Sequence, residues 1–151
     1  MWLKLPLIKG IFLNLDLARF SYSLHSMLKS GLDFVDALFL SKNMLSSREL
    51  KEFVESCIFE IRKGKSISEA FSAGKVLPEI FHHMLKVGEE TASLKEIFWE
   101  LHTIYDEKFK STIKRLLSLI EPIIITVTGL IVGFIVISLI LTVMSVGIIK
   151  L

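Results

Sequence analysis

Apolar residues recur along most of the chain at steps of three and four and almost never alternate, which predicts helices and no sheet. Leu17, Phe20, Leu24, Met27 and Leu28 share one face and predict a first helix over about 15–29, which Gly31 ends by taking the left-handed conformation. Asp33 caps a short second helix to about Met44, and its Phe34, Val35, Ala37, Leu38 and Leu40 cover so much surface that it is expected to be largely buried. Three Ser-x-x-Glu spacings, Ser46 with Glu49, Ser66 with Glu69 and Ser93 with Glu96, have the form of capping boxes and mark three helix starts. The third helix, about 47–63, buries Leu50, Phe53, Val54, Cys57, Ile58 and Ile61 and stops at Gly64, and the fourth, about 67–73, stops at Gly74. Pro78 opens the fifth, with Ile80, Phe81, Met84 and Leu85 inward, running to about Gly88. The sixth begins after Ser93, and its stripe continues from Leu94 through Phe98, Tyr105 and Ile113 to Ile120.

The pattern then changes to 28 residues without a charge, Pro122 to Ile149, which predicts one transmembrane helix over about 123–146. Pro122 has no N–H for the Ser118 carbonyl, so a kink or break is expected near 118–122. Lys108, Lys110, Lys114 and Arg115 precede the span and only Lys150 follows it, which places the bundle in the cytoplasm and the C-terminus outside. Met1–Leu13 is interrupted by Pro6, Lys9 and Gly10 and does not read as a cleavable signal. Gly129 and Gly133 lie four apart on one face of the span and form a candidate helix-packing surface. Glu121 stands at its entrance, either as an anion near a helix start or as a polar contact for a partner's membrane helix. The expected organisation is a lead segment 1–13, an all-α, antiparallel six-helix cytoplasmic bundle 14–121, and a transmembrane helix with a short tail 122–151.

Composition agrees: 52% of the 151 residues are hydrophobic and the net charge is only +2, too little for a nucleic-acid groove. The single cysteine, Cys57, can form no internal disulfide and falls on an apolar stripe, where a buried hydrophobe is the ordinary reading. Glu79-x-x-His82 has the spacing of a di-iron carboxylate motif, but its second copy and further inward glutamates are missing, and His25 and His102 have no acid or thiol at ligand spacing. A metal protein or enzyme using Glu79, His82 and His102 is the rival reading. With no glycine-rich phosphate loop either, the expectation is a non-enzymatic protein without cofactor or metal. In Val87–Leu94, Gly88 allows close approach of two helices and Ser93 caps the second, while Glu89 and Glu90 are candidate partner contacts.

The order of motifs resembles the inner-membrane platform proteins of bacterial type II secretion and type IV pilus assembly, the F or PilC family. The likeness runs through Leu5-Pro6, Ala18-Arg19-Phe20, Leu28-x-x-Gly31-Leu32 and Ala37-Leu38 to Gly64-Lys65-Ser66-Ile67-Ser68-Glu69-Ala70-Phe71 and Leu77-Pro78. It continues through Val87-Gly88-Glu89-Glu90 and Leu94 to Glu121-Pro122, Gly129 and Val132-Gly133-Phe134. The family usually has Gly where Ala92 stands and Pro where Thr142 stands, and typical members carry two such helical domains and three spans, of which this chain resembles the second domain and last span. The resemblance implies a six-helix bundle on a self-assembling platform in the inner membrane. Such a platform contacts a cytoplasmic assembly ATPase, other inner-membrane assembly proteins and lipid, and feeds pilin or pseudopilin subunits into a filament. The alternative is an anchored helical adaptor recruiting another cytoplasmic partner.

Overall fold

Helix α1 spans Pro6–Lys29 in this computed structural model, which describes residues 6–149 and the side chains of 9–148. Leu5 of the Leu5-Pro6 motif and Lys150 lie outside the described residues. α1 starts well before the expected position near residue 15: Gly10 weakens a helix by about 1 kcal/mol relative to alanine but does not end it, and Leu13 extends the packed stripe by a turn. Among the described residues there is no strand.

α2 is Phe34–Ser41, capped by the Asp33 carboxylate, which accepts from Val35 N–H at 3.1 Å, and it tightens into a 3-10 turn over Lys42–Met44. Only part of it is buried. Ala37 and Leu38 are inaccessible, whereas Phe39 and Leu40 are 47% and 43% exposed, so the expectation of a largely buried second helix is corrected: among the described residues no element covers its outer side. α3 is Arg48–Arg62, and its cap is Ser47, one residue beyond the expected Ser46. α4, Ile67–Ser72, is capped as its box predicts, with Ser66 Oγ accepting from Glu69 N–H at 3.2 Å. α5 is Glu79–Glu90, with Pro78 as the residue before its first turn, and it continues two residues past Gly88; Ile80 is 39% exposed instead of inward.

Three helices end in the same hydrogen-bond pattern, a six-to-one bond enclosing a five-to-two bond. After α1, Leu32 N–H reaches Met27 O and Gly31 N–H reaches Leu28 O; after α3, Lys65 reaches Glu60 O and Gly64 reaches Ile61 O. After α5, Ser93 reaches Gly88 O at 2.9 Å and Ala92 reaches Glu89 O at 3.3 Å. The pattern requires a positive φ at its fifth residue, supplied by Gly31 and Gly64 at +91° and +103°, but at the third end by Ala92 at +51°. A side chain there crowds the following carbonyl. Ala92→Gly is therefore expected to stabilise the helical unit by about 1 kcal/mol, raising its melting temperature by about 4 °C, checked by circular dichroism of the detergent-solubilised chain.

The chain forms two compact units that divide between Ser111 and Thr112. The core of the first is organised by aromatic rings: Phe53 of α3 meets Phe71 of α4 at 6.0 Å, Phe71 meets Phe81 of α5 at 6.4 Å, and Phe81 meets Phe98 at 6.3 Å. Phe34 of α2 stacks on Phe98 at 6.1 Å, and Tyr105 packs on Phe81 at 6.2 Å. Phe20 and Leu24 of α1 complete this core.

Ile97, Phe98, Leu101 and Tyr105 are buried, while Leu116 and Ile120 at the far end of the predicted stripe are 43% and 46% exposed. They belong to α6, Leu94–Ile149, which carries Pro122 inside it. Of the kink or break expected near 118–122, a break does not occur: proline removes one hydrogen bond, to Ser118 O, while the flanking residues keep helical geometry. In the second unit the apolar side chains are exposed, and α6 is, among the described residues, the one helix long and apolar enough to cross a membrane. Three hydroxyls of its apolar part are satisfied inside the helix: Thr126, Ser138 and Thr142 each donate to the carbonyl four residues back at 2.8 Å.

Candidate functional site

The segment singled out in the sequence, Val87–Leu94, joins α5 to α6. A Cβ built on Gly88 would lie 2.7 Å from Ile97 Cγ1 and 3.1 Å from Leu94 Cδ2, so the two helices approach more closely than any side chain at 88 permits. Glu89, offered as a partner contact, faces inward along the chain. Its carboxylate accepts from the backbone N–H of Ile67 at 2.6 Å and of Ser68 at 2.9 Å, and from the Ser68 hydroxyl at 2.5 Å. Burial works to raise its pKa, but the Ser68 hydroxyl and the two amides outweigh it and hold the carboxyl below the ordinary glutamate value. Glu89 thus fills the N-terminus of α4 with negative charge, where a helix's free amides attract an anion. Glu90, its neighbour, is exposed.

A second carboxylate performs the same task and was not singled out by motif. Asp16 of α1 is 2% exposed, and one of its oxygens accepts from the backbone N–H groups of Ser46 and Ser47 at 2.9 and 3.0 Å. Beside this contact α3 is capped by Ser47, whose Oγ accepts from Leu50 N–H at 3.4 Å. The signal was present: Asp16 lies four residues before Phe20 and eight before Leu24, on the same helical face, and a carboxylate on a core face needs a partner. The helical unit therefore has two joints of related design, an acid of one helix held on backbone amides at the start of another, as with Glu89 and α4, or just before it, as with Asp16 and α3.

The candidate ligands of the metal reading do not converge. His25 and His102 act as clips between α1 and α6, with Nδ1 donating to Lys95 O at 2.8 Å and to Ala18 O at 2.9 Å. Glu79 pairs with His83 at 3.4 Å in solvent and not with His82. No group of three or more His, Cys, Asp or Glu able to hold a metal occurs among the described residues. The Cys57 thiol, 1% exposed and donating to Ala70 O at 3.4 Å, is pushed up to about 12 by burial and behaves as a small apolar side chain. Burial likewise raises the Tyr105 hydroxyl to about 12.

Of the remaining positions, Gly31 and Gly64 end helices and Pro78 precedes one, and Leu94 packs against the core. Glu121, Pro122 and Gly129 are exposed in the second unit, and a Cβ on Gly129 or Gly133 would meet nothing within 4 Å. The site is thus a set of helix joints with an exposed acid, Glu90, beside one of them, and an apolar helix with an open small-residue face.

The model of the family described as type II secretion system protein F matches residues 20–142, from α1 into the apolar part of α6. Type IV pilus assembly protein PilC of Pseudomonas aeruginosa is 27% identical over 145 residues, 96% of this chain and 39% of its own. The PilC protein of Thermus thermophilus is 30% identical over 135 residues, 89% of this chain and 33% of its own. Type II secretion system protein F of Pseudomonas aeruginosa is 24% identical over 143 residues, 95% and 35% respectively. The chain spans between a third and two fifths of the length of these relatives. With the match running through the aromatic core, the amide-donating segments of both carboxylate joints and most of the apolar run, the chain belongs to the type II secretion system protein F family.

Proposed function

We propose that this chain is a non-enzymatic platform component of a type II secretion or type IV pilus assembly machine in the inner membrane, with its helical unit in the cytoplasm. The observation that carries this is the family match over residues 20–142 in a chain whose apolar helix is long enough to cross a bilayer. The relatives' names place them in secretion or pilus assembly, and a protein built from helix joints instead of a convergent polar cluster is suited to work by contact. Its partners on this reading are a cytoplasmic assembly ATPase, pilin or pseudopilin subunits and further copies of itself, with Glu90 and Glu121 as contacts and Gly129 and Gly133 as the close-packing face in the membrane.

Movement imposed on the cytoplasmic unit has to reach the bilayer through α6, because no other described element enters the apolar run. Replacing Ser111, Thr112 and Ile113 by three glycines, each about 1 kcal/mol less helical than alanine, is expected to abolish filament assembly or secretion while leaving membrane insertion intact. Electron microscopy of filaments and carbonate extraction of membranes read the two effects. Undiminished assembly by the inserted variant would remove α6 as the coupling element, and a stable cytoplasmic partner other than an assembly ATPase would favour the adaptor.

A further inference from the structure

Two phenylalanines on one side of the helical unit are left in solvent, Phe39 of α2 at 47% and Phe59 of α3 at 59% exposure. They wall a hollow of about 270 Å³ with Ile58 at its base. The charge around it is basic: Lys42 Nζ stands 4.3 Å from the centre of the Phe39 ring and Lys63 Nζ 4.0 Å from that of Phe59, with Arg62 on the rim. The neighbouring acids are engaged, Glu55 by Lys42 and Glu60 by Lys65, each at 2.6 Å, which leaves Arg62 and Lys63 without an ion pair among the described residues.

Exposed aromatic rings beside Lys and Arg match a lipid interface, where the ring enters the boundary between headgroups and acyl chains and the cations face phosphate. The chain also limits how far such a surface can be from the helical unit. Ten residues, 112–121, separate the end of the helical unit from the uncharged run, a reach of about 15 Å if helical and about 35 Å if fully extended. The bilayer entered by α6 is therefore present at high effective concentration. We propose that the face bearing Phe39, Phe59, Arg62 and Lys63 docks reversibly on the anionic headgroups of that bilayer. The proposal rests on α6 crossing a membrane and not on the platform role above.

The test places the photoreactive p-benzoylphenylalanine at Phe59 in the full chain, reconstituted into vesicles of phosphatidylcholine with about a third phosphatidylglycerol. Irradiation is expected to give a lipid adduct at this position and none at the comparably exposed Val87. The yield should fall about tenfold in pure phosphatidylcholine and in the double variant Arg62→Glu, Lys63→Glu. Circular dichroism confirms that these surface variants fold, and carbonate extraction reads insertion of α6 separately. Adducts with a second protein chain, or a lipid yield indifferent to phosphatidylglycerol while α6 remains inserted, would overturn the docking and leave the span itself standing.

Discussion

Gly88→Val is expected to destabilise the helical unit by about 3 kcal/mol or more, and Gly88→Ala by about 1 kcal/mol. Two effects oppose each other at this position. Alanine inside a helix normally gains about 1 kcal/mol over glycine, yet a Cβ here would sit 2.7 Å from Ile97 Cγ1 and 3.2 Å from Ile97 Cβ. Ile97 is 8% exposed and branched at Cβ, so it has little rotameric freedom to withdraw. Overpacking of about 1–3 kcal/mol therefore wins. Urea unfolding followed by circular dichroism measures it, and a gain in stability for Gly88→Ala would contradict the close approach. Ile97→Ala removes the obstructing atom, so the double variant should lose less than the sum of the single losses, with a coupling on the order of 1 kcal/mol.

Glu89→Ala is expected to cost about 2–3 kcal/mol at neutral pH, because it strips two backbone amides and a hydroxyl of a charged acceptor at once. The value is below three separate charge-assisted bonds because the site is only partly buried and water replaces some of what is lost. A pH signature separates this role from mere packing. The folded pKa of Glu89 lies below its unfolded value, so its stabilisation is fully present above about pH 4.3 and is lost as the pH falls through the depressed folded pKa. The difference between the native chain and Glu89→Gln should accordingly shrink as the pH is lowered from neutrality into that range. A gap in unfolding midpoint that stays constant with pH would show that charge is not what holds α4.

The helices were legible because their causes are local. Three-and-four spacing of Leu17, Phe20 and Leu24, the Ser66 cap and the positive-φ glycines Gly31 and Gly64 each act within one or two turns of chain, and the structure keeps them. What was misread depends on residues distant in sequence. The α3 cap falls at Ser47, beside amides that Asp16 holds across a separation of 30 positions, and the hold of Glu89 on the α4 amides spans 22 positions. Phe39 and Leu40 satisfied the helical pattern yet face outward, since apolar composition states which residues favour burial and not whether a neighbour arrives to cover them. Pro122 was expected to kink or break α6, and it does not break it, because one absent N–H in a long helix is outweighed by the bonds on either side. The resemblance motifs led to the correct family, and the close approach expected at Gly88 is present, with the structure adding that Ile97 and Leu94 are what it meets.

Asp16 and Glu89 close mainly on main-chain N–H groups. Any residue except proline presents that same group, so the grip itself sets no side chain at positions 46, 47 and 67, where only the Ser47 cap and the packing of Ile67 impose one, while it does set the acids opposite them. Sequence variation at each joint should be lopsided, tolerant on the side that donates and narrow on the side that accepts, and a comparison of columns would score one half of each joint as unimportant although both halves are indispensable to it.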